Sequence, residues 1–158
     1  MRETLHHVGL VSADIERSIS FYSGPLGLEL LARGRESGPR YAEMFGVAEV
    51  AFLRAELDLG GGHLLELIEY EPAPERPAAA QPAAGLPAGP HFALRVLNVD
   101  AVHEALSRHG AKVFSLPVEL DEDNHWLGTR VFYALDPDLN LIEIVEDAED
   151  AGDREAAG

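Results

Sequence analysis

The sequence predicts an α+β fold made of two copies of one unit, each a strand, a helix and three further strands. Three observations predict it. His7 stands seven positions before Asp14, and His91 stands seven before Asn98, with Asp14 and Asn98 both good helix N-caps. Each copy then ends in a strand-like run with one carboxylate among large apolar side chains, Leu64-Leu65-Glu66-Leu67-Ile68 and Leu141-Ile142-Glu143-Ile144-Val145. Between the copies the composition shifts to Pro and Ala, so residues 71–89 read as an extended, mobile linker between a first module at 1–70 and a second at 90–146.

Taken in order, Leu5 to Val11 reads as a strand with His6, Val8 and Leu10 on one face and His7, Gly9 and Val11 on the other. Asp14 caps a helix that turns Ile15, Ile19 and Phe21 or Tyr22 inward, and Gly24-Pro25 ends it. Leu28 to Arg33 is a second strand. The polar, Gly-punctuated stretch 34–46 reads as a loop with at most one helical turn, anchored by Tyr41, Met44 and Phe45. Glu49 to Arg54 and His63 to Tyr70 are strands joined by a turn at Gly60-Gly61-Gly62. After the linker, His91 to Val96 is a strand, Asn98 caps a helix through Val102, Ala105 and Leu106, and Gly110 closes it. Lys112 to Leu116, Thr129 to Leu135 and Asn140 to Glu146 complete the second set.

Composition bounds the partners. A chain of 158 residues that is 46% hydrophobic can bury one core, or two small pseudo-repeats that share one. With no cysteine, disulfides, thiolate nucleophiles and Cys-ligated zinc are excluded. The formal net charge of −16 argues against nucleic acid and anionic membranes, which are bound chiefly through Lys and Arg. No apolar run reaches transmembrane length and Met1-Arg2-Glu3-Thr4 does not open a signal peptide, so a soluble cytoplasmic protein is expected. Part of the acidic excess lies from Glu146 to Glu155, and residues 147–158 read as a solvated, disordered tail.

The chemistry follows from the repeat. An ionised carboxylate in a buried strand needs a partner, so Glu66 and Glu143 each pose a burial problem. The small residue two beyond each histidine, Gly9 or Ala93, suits a cavity-lining face. Two imidazoles and two carboxylates converging on one divalent cation such as Zn, Ni, Co, Mn or Fe would solve both problems, with His7, Glu66, His91 and Glu143 as ligands. An octahedral ion so held keeps two positions open. The alternative is that these four are buried groups satisfied by hydrogen bonds.

His7-Val8-Gly9-Leu10-Val11, Asp14 to Ser18 with Phe21-Tyr22, Glu66-Leu67, His91-Phe92-Ala93-Leu94 and Asp136 to Glu143 together resemble the vicinal oxygen chelate superfamily. That superfamily includes glyoxalase I, methylmalonyl-CoA epimerase, extradiol dioxygenases and the fosfomycin and bleomycin resistance proteins. The resemblance implies two βαβββ modules forming a curled, cup-like mixed sheet around a metal cleft, with His7, Glu66, His91 and Glu143 on the ligand positions. It implies an enzyme, a homodimer in expectation, that moves a proton through a metal-stabilised enolate of an acyl thioester or α-hydroxycarbonyl. The proton carrier is Glu49, Glu66 or Glu143, and Glu49 enters because Gly46 to Val50 resembles the segment holding the epimerase's catalytic glutamate. Val11 and Tyr70 depart from the arginine and asparagine common in glyoxalase I, Glu66 from the epimerase's usual glutamine, and Leu139 from the family's usual turn glycine. An Fe(II) extradiol dioxygenase, with Glu66 as a surplus ligand, and a non-catalytic drug-binding protein are the alternatives.

Other residues read as structural. His6 is placed on the packing or surface side by strand alternation, and His63, His103 and His109 are expected to be exposed. His125-Trp126 reads equally as a lid or a surface loop. Arg95 and Arg130 are candidates for holding an anionic substrate group, with salt bridges as their more ordinary use.

Overall fold

The computed structural model describes residues 4–73, 90–121 and 126–148. The chain divides into two compact units, Met1–Ala79 and Ala80–Gly158. The first holds β1 (His7–Val11), α1 (Ile15–Ser23), β2 (Leu30–Ser37), α2 (Pro39–Phe45), β3 (Ala51–Gly60) and β4 (His63–Tyr70). The second holds β5 (His91–Arg95), α3 (Val99–Arg108), β6 (Lys112–Val113), β7 (Val118–Glu119), β8 (Arg130–Leu135) and β9 (Leu141–Glu146). The fold is mixed α+β, with sheets of four and five strands.

Both sheets follow one plan. The first strand lies parallel to the last, β1 beside β4 and β5 beside β9, and the last strand is flanked on its other edge by an antiparallel neighbour, β3 or β8. Each sheet buries one face under its helix. Ile15, Phe21 and Tyr22 of α1 join Ala55, Leu57, Leu65 and Leu67 in the first core, and Val99 and Leu106 of α3 join Phe132, Ala134, Ile142 and Ile144 in the second. Because alternate strand residues point to opposite faces, Glu66 and Glu143 are turned away from these cores.

Both helix caps form as the sequence predicts. Asp14 accepts from the Arg17 amide and Asn98 from the Ala101 amide, each at 3.0 Å. A second carboxylate also reaches each helix start: Glu69 accepts from the Ile15 amide and Glu146 from the Val99 amide, each at 2.7 Å. Glu146 is wholly buried, so the solvated acidic stretch does not begin there. Asp147 is ion-paired with Arg95 at 2.9 Å, and residues 149–158 lie outside the described ones.

The stretch 34–46 is not a loop. β2 runs on to Ser37 as an edge strand, whose solvated side chains can be polar, and α2 follows with Pro39 in its first turn and Gly46 in a left-handed C-cap. Its side chains account for the position: Tyr41 and Phe45 meet Phe52 edge to face, and Phe45 also meets Tyr70, while Met44 is exposed. β3 extends past Arg54 to Gly60, where Ala55-Glu56-Leu57 hides its strand alternation behind good helix formers. β6 is shorter than the predicted 112–116. Of the linker, residues 74–89 are outside the described ones, whereas Glu71 donates its amide to Ala51 and pairs with Arg35.

Candidate functional site

Each unit brings one imidazole and one carboxylate together by the same register. His7 is level with Leu64 and Gly9 with Glu66; His91 is level with Leu141 and Ala93 with Glu143. The histidine and glutamate therefore lie two steps apart on neighbouring parallel strands, on one sheet face. His7 Nε2 stands 3.6 Å from Glu66 Oε2, and His91 Nε2 stands 3.3 Å from Glu143 Oε2. A Cβ on Gly9 would be 3.8 Å from Glu66 Oε2, an ordinary contact, which is why alanine serves at the equivalent Ala93.

The two carboxylates are not buried as their apolar strand neighbours suggest. The side chains of Glu66 and Glu143 are 21% and 22% exposed and those of His7 and His91 43% and 39% exposed, so neither pair is a core group. The apolar neighbours that suggest burial, Leu65, Leu67, Ile142 and Ile144, occupy the opposite face. The N···O spacings are also longer than a good N–H···O bond of roughly 2.7 to 3.2 Å. Two donors about 2.1 Å from one cation at a tetrahedral or octahedral angle would stand about 3.0 to 3.4 Å apart. The donor types of both pairs suit a divalent ion; the His91–Glu143 spacing falls within that span and the His7–Glu66 spacing slightly exceeds it. Among the described residues, no group of three or more His, Cys, Asp or Glu is gathered for a metal; each unit supplies two.

The pairs differ in their surroundings. In the first unit Glu56 lies opposite Glu66, and Arg54 pairs with Glu56, reaches Glu36 at 3.5 Å and comes within 3.9 Å of Glu66 Oε1. Tyr41 donates to Glu36 at 2.5 Å, tying α2 to this charged row. In the second unit Tyr133 lies opposite Glu143, and its ring meets His91 edge to face at 5.5 Å. Burial, the Glu143 charge and a hydrogen bond to that carboxylate hold the Tyr133 phenol above the ordinary tyrosine range.

Glu49 is not brought to the first pair. It lines a cleft of about 560 Å³ with Pro39, Ala42, Val50, Glu71 and Pro72, at the end of β3 where Ala51 bonds Glu71. Glu66 is five residues back along β4, about 17 Å at the usual strand rise. Arg95 and Arg130 serve in ion pairs, with Asp147 and, through two bonds of 2.6 and 2.8 Å, with Asp100. His63 is half-exposed and bonds the Leu5 carbonyl, His103 is half-buried against Phe132, and only His109 of these three is exposed. Trp126 is 43% exposed, while His125 lies outside the described residues.

The sequence reading misses three participants: Tyr133, Arg54 and His6. Tyr133 and Glu56 each stand ten residues before the glutamate of a pair, the offset that an antiparallel register converts into facing positions. His6, assigned to the other face by alternation, precedes β1 and hydrogen-bonds His7 through Nδ1 at 2.8 Å.

The profile of the Glyoxalase/Bleomycin resistance protein/Dioxygenase superfamily matches residues 4–144. The chain belongs to this superfamily. It is similar to the uncharacterized proteins YwkD of Bacillus subtilis and YaeR of Escherichia coli. YwkD is 27% identical over 144 residues, 91% of this chain and 97% of that one. YaeR is 27% identical over 142 residues, 90% of this chain and 95% of that one. A glyoxalase family protein of Bacillus cereus shares the superfamily fold with a TM-score of 0.75, at 20% identity over 90% of this chain and 93% of that one. No helix among the described residues is long and apolar enough to cross a membrane.

Proposed function

We propose that this superfamily member is a divalent-metal-dependent isomerase, epimerase or lyase. It moves a proton at a carbon beside a carbonyl of a small acyl thioester or α-hydroxycarbonyl. The observation that supports this reading is the repeated His–Glu pair, placed by the same strand register in both units, an imidazole and a carboxylate side by side on one sheet face. His7, Glu66, His91 and Glu143 would together hold the ion, drawn from one chain or from the two copies of a homodimer. An ion there supplies Lewis acidity to a substrate oxygen. The protein's own part is to carry the proton, a role for Glu66 or Glu143 as the carboxylates of the pairs, with Glu49 as the other candidate. A single carboxylate that reaches both faces of the substrate carbon would epimerise it.

The test combines metal content with exchange. Protein loaded with Zn, Ni, Co, Mn or Fe is expected to hold one ion per four-ligand set, and His7→Ala or His91→Ala is expected to weaken binding by more than about 100-fold, more than the loss of a residue that only orients a ligand. Loaded protein is expected to catalyse solvent deuterium exchange into candidate thioesters, with Glu143→Gln or Glu66→Gln abolishing it. Metal-loaded protein that exchanges nothing yet binds an organic ligand tightly, or that consumes oxygen with catechols under Fe(II), overturns the proposal.

A further inference from the structure

His7 has a neighbour at each ring nitrogen. Nε2 faces Glu66, and Nδ1 lies 2.8 Å from Nδ1 of His6, with the two rings edge to face at 5.1 Å. A hydrogen bond between two imidazole nitrogens uses one proton, so one Nδ1 donates and the other accepts. If His7 donates, its neutral ring keeps the lone pair on Nε2, the atom aimed at the carboxylate. If His6 donates, the His7 proton sits on Nε2, and that nitrogen cannot bind a cation.

We propose that His6 is a positioning residue for the first pair: its Nδ1 accepts the His7 Nδ1–H and so holds His7 in the tautomer whose Nε2 is open to a divalent cation. This rests on the metal reading given above. His6 can take the role because it lies just before β1, outside the strict alternation of the strand, while its carbonyl accepts from the Leu64 amide at 3.3 Å. That bond pins the backbone and leaves the exposed ring beside its neighbour. In the second pair Pro90 stands before His91 where the first has an imidazole, and the His91 ring is met by Tyr133.

Protein labelled with nitrogen-15 at histidine and titrated with zinc tests this. Wild type is expected to show His7 with a solvent-protected Nδ1–H and a zinc-shifted Nε2. His6→Phe, at an exposed position, is expected to keep the fold, to lose that protection and to weaken zinc binding about tenfold or more. His6→Gln, which retains an acceptor oxygen, is expected to recover most of both, and His109→Gln to change neither. If His6→Phe leaves the affinity within about twofold and the Nδ1–H protected, the inference about His6 falls and the metal reading stands. If zinc does not shift His7 in wild type, both fall.

Discussion

The two units carry the same donor pair on the same backbone, and they surround it differently. The first sets Glu66 in a row of charge, with Glu56 opposite and Arg54 shared among Glu36, Glu56 and Glu66. The second sets Glu143 against the neutral phenol of Tyr133, with Ile142, Ile144 and Glu146 buried behind it. Strand register therefore determines where each histidine and glutamate stand, and the residue facing each glutamate on the neighbouring strand determines the electrostatics there. A duplicated scaffold can thus keep one geometry while its halves specialise.

The largest contrast expected lies behind the pairs. Glu146→Ala strands the buried Val99 amide and should cost about 3 kcal/mol, whereas Glu69→Ala at the partly solvated Ile15 amide should cost about 1 kcal/mol. Urea denaturation measures both, and equal losses would break the contrast.

At the pairs themselves, the signs should oppose. Tyr133→Phe removes a donor to Glu143 and should weaken divalent binding about tenfold. Arg54→Met removes a positive charge beside Glu66 and should strengthen it a few-fold, an effect that fades with added salt. Calorimetric titration at two ionic strengths separates them, and matching signs would mean that the two surroundings do not differ in function.

The turns that feed the glutamate-bearing strands differ as well. β3 and β4 join through Gly60, Gly61 and Gly62, all at positive φ, while the turn before β9 places Leu139 at φ 67°. Asp136 offsets that strain by accepting from the Asp138 and Asn140 amides and the Asn140 side chain. Leu139→Gly should raise the melting temperature, by a stability gain of about 1 kcal/mol.

The smallest effect is alkaline. Tyr133 and Tyr41 are both held above the usual value of 10.0, Tyr133 first by burial and Tyr41 first by its bond to Glu36. Each keeps its proton better when folded, so its contribution is complete below about pH 10 and is lost as pH climbs through the folded value. Absorbance at the tyrosinate band should show Tyr133 and Tyr41 ionising later than free tyrosine, and Tyr133→Phe should remove one of these late contributions.

Legibility in the sequence followed periodicity. The caps at Asp14 and Asn98, the strand His63–Tyr70 and the positions of His7, Glu66, His91 and Glu143 were readable because each rests on local pattern or on the repeat. The edge strand through Ser37 and the seven-residue α2 were not, because their side chains are polar and only Tyr41 and Phe45, packed on Phe52, give the helix its place. Glu146 was readable as the end of its strand but not as a buried acid, because an acid among acids resembles a solvated stretch until the helix amide it accepts from is seen.

The amino-acid order alone determined the duplication, the fold class and which imidazoles and carboxylates belong together, because those depend on spacing along one chain. Only the tertiary structure decided that the pairs are half-exposed, that Glu49 stands far from Glu66, and that Arg54, Tyr133 and His6 attend them. Those are neighbours across strands or around a turn, and register, not sequence distance, brings them into contact.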